Sequence, residues 1–149
     1  MDVSSGSLFR RVSPPELAVF VSGVASMGLE ILAGRMIAPE FGSSIYTWGS
    51  IIGVFLAALS LGYHYGGKRA ARRASVDRLS WILLGTAAYI ALLIFANDML
   101  LAAGSAFPLP SRFASLPAVT ILFAPPTYLL GFISPYAAEL SDTDGVGEP

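Results

Sequence analysis

The sequence predicts an all-α, polytopic membrane protein of four transmembrane helices with both termini in the cytoplasm. Three observations carry that expectation. First, 54% of the 149 residues are hydrophobic and 13% charged, about half the roughly 25% charge of a soluble domain, and the mean hydropathy is +0.67. Second, four separate stretches approach the roughly 20 apolar residues that cross about 30 Å of hydrocarbon. Third, the basic residues gather in one loop. The length suits one domain, and a chain this apolar is not disordered. The formal net charge of -1 provides no global field for nucleic acid. With no cysteine there is no disulfide framework, thiolate nucleophile or cysteine-based metal site.

A cytoplasmic segment over residues 1–14 is expected to lead into a membrane domain over 15–138. The first span covers 17–38, LAVFVSGVASMGLEILAGRMIA, and contains Glu30 and Arg35. Arg10 and Arg11 precede it as a twin-arginine address would. Pro14, Pro15 and Glu16 interrupt that approach, however, and no cleavage site follows. The proline pair reads instead as a helix start, because proline is tolerated in the first turn. The second span, 44–66, holds the single histidine, His64. The third covers 79–98, where Asn97 and Asp98 end it, and the fourth covers 113–135. Runs such as IIGVFLAALSLGY are too long for ordinary strands and lack the alternation of a membrane barrel. Residues 139–149 are acidic and Gly-rich and read as a disordered tail.

Orientation follows from Lys and Arg in short loops. Lys68, Arg69, Arg72, Arg73 and Arg78 make up five of the nine basic residues and lie between spans two and three. That loop and the amino terminus therefore face the cytoplasm, and four spans return the carboxyl terminus to the same side. The expected location is the cell membrane, with the lipid bilayer as the first partner. Contact of the basic cluster with anionic lipid follows easily.

Membrane helices associate through small residues and polar contacts, because lipid tails are as apolar as leucine. Gly49, Gly53 and Ala57 recur every four residues on the second span, and Ala58, Gly62 and Gly66 continue one position round the helix. Both stripes are expected to serve helix packing, within the bundle or in a dimer. The fourth span carries Pro117, Pro125, Pro126 and Pro135. Each proline deletes a backbone donor, so a break or kink is expected at Pro125 and Pro126.

Charges within a span are functional candidates. Glu30 lies more than half way across, and Arg35 is five residues on, roughly 140° round a helix. Partners on another helix or chain are therefore expected, with Glu30 and Arg35 as a candidate cation or ligand site. Glu30 serves equally well as a structural buried polar contact, and Arg35 and Glu40 as headgroup anchors. Tyr46 and Trp48 fit an interfacial aromatic belt. His64, with no companion ligand at helical spacing, is a poor metal site. Dinucleotide, P-loop, zincin and nucleophile-elbow motifs are absent, so no cofactor, metal or catalytic residue is expected.

Several of these stretches together resemble the membrane region of membrane-integrated spermidine-synthase-like proteins. The matching features are Glu30 to Arg35, the APEFG turn at 38–42, W-x-S-I-I-G at 48–53 and L-G-Y-x-x-G-G at 61–67. A further likeness lies in LLGFISPYAAEL at 129–140, and the motif order is intact. In that family a multi-helix membrane segment precedes a cytoplasmic aminopropyltransferase-like domain. That domain's Gly-rich acidic nucleotide loop and catalytic aspartate have no counterpart here, so the resemblance carries over no catalytic role. It implies a non-catalytic membrane scaffold or subunit, the front half of such a region, either split from a second chain or truncated. Its expected partners are a membrane chain, an aminopropyltransferase-like protein or a second copy. The alternative expectation is a small transporter or channel for an organic cation or polyamine, using Glu30 and a proline-broken fourth span. A third is an interaction protein with no small-molecule ligand.

Overall fold

The computed structural model describes residues 13–105 and 113–145. It consists of α1 (Pro14–Phe41), α2 (Ile45–Arg73), α3 (Val76–Ser105) and α4 (Ser115–Gly145). All four are long and apolar enough to cross a membrane. At 28 to 31 residues they extend about 42–46 Å, beyond the roughly 30 Å of hydrocarbon. In α1, α2 and α4 the excess lies in the polar ends, whereas α3 continues as helix past Asn97 and Asp98, the expected end of the third span, through residues 99–105. α2 continues past residue 66 through Lys68, Arg69, Arg72 and Arg73, residues that favour helix as well as water.

α4 likewise continues to Gly145, which corrects the expected disordered tail over 139–145. Ala137, Ala138, Glu139 and Leu140 are competent helix formers, and Leu140 packs against the cluster around Ile133 and Tyr136. Residues 1–12, with Arg10 and Arg11, lie outside the described residues, as do Arg112 and 146–149.

Local chemistry sets the helix ends. The Ser13 backbone N–H donates to Glu16 Oε2 at 2.9 Å, and Pro14 and Pro15 occupy the first turn of α1. α1 closes at Gly42, whose φ of 75° is a conformation side chains disfavour, and whose N–H donates to the Ala38 carbonyl at 2.8 Å. Ser44 Oγ then caps α2 by accepting from the Thr47 N–H. Ser75 Oγ caps α3 in the same way, through the Arg78 N–H.

α4 is the helix around which the others assemble. It packs against α1, α2 and α3, and 56% of its apolar window is buried, against 17% for α3. α2 lies parallel to it: Ser115 Oγ donates to Ser50 Oγ at 3.2 Å, Phe55 meets Phe123 with centroids 6.0 Å apart, and Gly66 lies against Phe132. α1 and α3 run antiparallel to it. The core has two parts. One joins Leu29, Ile37, Ile51, Phe55, Leu122 and Phe123. The other joins Ala70 and Leu79 to Leu130, Phe132, Ile133 and Tyr136 at the end bearing the α2–α3 hairpin.

The expected break at Pro125 and Pro126 is corrected: α4 is one helix through both residues and through Pro135. A proline at position 125 supplies no N–H to the carbonyl four residues earlier, at Ile121. The Tyr89 hydroxyl of α3 donates to that carbonyl at 2.8 Å. A neighbouring helix thus satisfies the backbone acceptor that the proline leaves open, the condition under which proline is tolerated in a membrane helix.

Candidate functional site

The two small-residue stripes of α2 have separate fates. Gly62 lies against the Tyr128 carbonyl and Gly131, so a Cβ there would collide with backbone. Gly66 would place a Cβ 2.9 Å from Phe132 Cα. With Ala58, which is also buried, they form the seam through which α2 approaches α4. Gly49 and Gly53 have nothing within 4 Å of a Cβ position, and they and Ala57 face outward. Within the chain, the expected packing role of Gly49, Gly53 and Ala57 is therefore corrected. Sequence spacing alone could not separate the stripes, because they differ by one position, about 100° of rotation.

The outward stripe meets a cavity at Ala57. Between α2 and α4 lies an apolar hollow of about 400 Å³ whose walls include Val54, Ala57, Ala58, Leu61, Ala124 and Pro125. Smaller hollows lie between α1 and α4 near Pro15 and Ser134, and between α1 and α3 near Leu29 and Leu93.

Glu30 is half-buried and Arg35 exposed. No ion pair joins them, as the 140° separation implies, and Glu30 lines none of these hollows. Trp48 lies over Gly34, where a Cβ would stand 2.6 Å from its ring, so this aromatic closes the α1–α2 hairpin besides standing partly exposed. His64 packs edge-on to Tyr65 with centroids 5.3 Å apart. Among the described residues no group of His, Cys, Asp and Glu is placed to hold a metal ion.

The basic residues meet an aromatic column that belongs to none of the candidate sites expected from the sequence. Tyr128, Phe132 and Tyr136 recur every four residues on α4, with centroid separations of 5.0 and 6.4 Å. Arg69 extends over the Phe132 ring, 5.9 Å from its centroid, within cation–π range. Arg78 reaches back across the hairpin, donating from Nη1 to the Arg73 carbonyl at 3.0 Å. Lys68, Arg72 and Arg73 are exposed around them, as Arg69 and Arg78 themselves are. The i, i+4, i+8 aromatic spacing was available in the sequence, but the arginines that face it became identifiable only once α2 and α4 were paired.

Among the described residues the fold comprises four helices long and apolar enough to cross a membrane, the mark of a multi-pass membrane protein. Comparison with protein-family models, with curated proteins and with solved structures finds no match.

Proposed function

We propose that this chain is a non-catalytic membrane scaffold subunit, kin to the membrane region of spermidine-synthase-like proteins and completed by a further transmembrane helix from a partner or a second copy. In this reading the basic α2–α3 hairpin and both termini lie on the cytoplasmic side of the cell membrane, as the positive-inside rule directs. The observation that supports it is the outward stripe of Gly49, Gly53 and Ala57 beside the α2–α4 hollow. Small residues at this spacing let another helix backbone approach closely, which is the main source of helix association in lipid. The other small-residue seam, at Gly62, Gly66 and Gly131, is already occupied within the chain.

Gly53→Leu tests the proposal. Nothing within 4 Å of that Cβ position obstructs it inside the chain, so the folded subunit should retain its helicity and unfolding midpoint. Its assembly with other membrane chains, read by cross-linking in native membranes and by the mass of the purified complex, should be lost. An unchanged complex would refute the docking role of the stripe.

The second reading, a carrier or channel for an organic cation or polyamine, draws on Glu30, which is half-buried and whose side chain makes no ion pair or hydrogen bond among the described residues. The continuous α4 removes the helix break on which that reading also relied. Uptake of a polyamine into reconstituted vesicles that disappears in Glu30→Gln, with folding intact, would favour the carrier. Equal uptake by both proteins would exclude Glu30 from it.

A further inference from the structure

At the end of the bundle bearing the α2–α3 hairpin lies a second hollow of about 410 Å³, lined by Arg69, Arg78, Trp81, Ile82, Phe132 and Tyr136 among others. We infer that it binds a phosphate-bearing amphiphile, an anionic phospholipid, with its phosphate held by Arg69 and Arg78 and its glycerol and first acyl carbons against the aromatic wall. This inference is independent of the scaffold reading and requires only that the helices span a bilayer.

The two guanidinium groups come from different helices, α2 and α3, and line the same hollow. Among the described residues their contacts are the Phe132 ring and the Arg73 carbonyl, neither of which neutralises a positive charge. Guanidinium forks are suited to phosphate oxygens, which they contact bidentately. The Arg69–Phe132 contact holds one fork against α4. The Arg78–Arg73 bond holds the other against the hairpin.

The rest of the wall accounts for the apolar part of the ligand. Inorganic phosphate alone would leave Trp81, Ile82 and Phe132 facing an unfilled hollow. An acylated glycerol phosphate covers them, and the volume falls within the ordinary range for small-ligand sites. The position is consistent: Trp81 is 72% exposed at a helix end, where indole rings sit among headgroups. Basic pockets between membrane helices at that depth are suited to anionic headgroups.

The test uses the full chain in zwitterionic micelles. Trp48→Phe leaves Trp81 as the single reporter tryptophan. Titration with phosphatidylglycerol should change Trp81 emission saturably, whereas phosphatidylcholine should not. Arg69→Gln combined with Arg78→Gln should weaken the phosphatidylglycerol response at least tenfold, as expected when two charge-assisted contacts are removed. Arg72→Gln combined with Arg73→Gln removes the same charge outside the hollow, so any general electrostatic loss is common to both pairs, and its effect should be at least tenfold smaller than that of the Arg69 and Arg78 pair.

Far-UV circular dichroism checks the fold, and Arg69→Lys with Arg78→Lys, which keeps charge but not the fork, should give an intermediate affinity. Glycerol phosphate is titrated in a separate arm. If it fails to move Trp81, the ligand is the lipid; if it saturates the response, the same site takes a soluble phosphate ester and the lipid assignment is overturned. Equal losses in the two Gln pairs, or an equal response to phosphatidylcholine, would also overturn the inference.

Discussion

The contact between Tyr89 and Ile121 offers a sharp test of how α4 remains helical through its prolines. Tyr89→Phe removes the hydroxyl and little else, leaving the Ile121 carbonyl without the 2.8 Å donor it now has. Interhelical hydrogen bonds in membranes average about 0.6 kcal/mol and reach about 1.7. This one serves an acceptor that Pro125 cannot satisfy, and an unpaired buried acceptor costs about 1–3 kcal/mol. The expected loss is therefore about 1–1.5 kcal/mol, close to a tenfold change in the unfolding equilibrium.

Pro125→Ala restores an N–H four residues after Ile121, so the same Tyr89→Phe change in that background should cost about 0.5 kcal/mol or less. The double-mutant cycle isolates a coupling of roughly 0.5–1 kcal/mol. Reversible unfolding in mixed dodecyl maltoside and dodecyl sulfate micelles, followed by far-UV circular dichroism, measures all four corners. Equal costs of Tyr89→Phe with Pro125 present and with Pro125→Ala in place would show that the tyrosine does not compensate for the proline. The explanation for the unbroken helix would then fail.

Three further outcomes can be measured in the same assay. Gly62→Ala should destabilise the fold by about 1–3 kcal/mol, since its Cβ must displace the Tyr128 carbonyl and Gly131; Gly53→Ala, with open space around it, should be neutral or stabilise by up to about 1 kcal/mol through helix propensity. Thr127 is fully buried and its Oγ1 has no hydrogen-bond partner, so Thr127→Val should stabilise the bundle by about 1 kcal/mol by removing an unpaired hydroxyl. A loss in Thr127→Val would mean that the hydroxyl does bond in the bilayer.

The residues define how far the sequence could be read. Hydropathy located four helices because apolar composition is a local property of the chain and a segment in hydrocarbon must satisfy its backbone groups within itself. The caps at Ser13, Ser44 and Ser75, and the turn at Gly42, are likewise local. The expected break at the proline pair failed for the opposite reason: the carbonyl that Pro125 leaves open, at Ile121, is served by a donor 32 positions from it, Tyr89.

Which glycine stripe was used, whether Glu30 met a counter-charge, and which arginines faced an aromatic wall all depended on the rotation of one helix against another. A rotation of one residue position turns a buried stripe into an exposed one while leaving hydropathy unchanged. The amino-acid order therefore determined that four apolar helices form, because that is an exchange between chain and solvent. The tertiary structure decided which faces meet, because that is an exchange between one side chain and another distant in sequence.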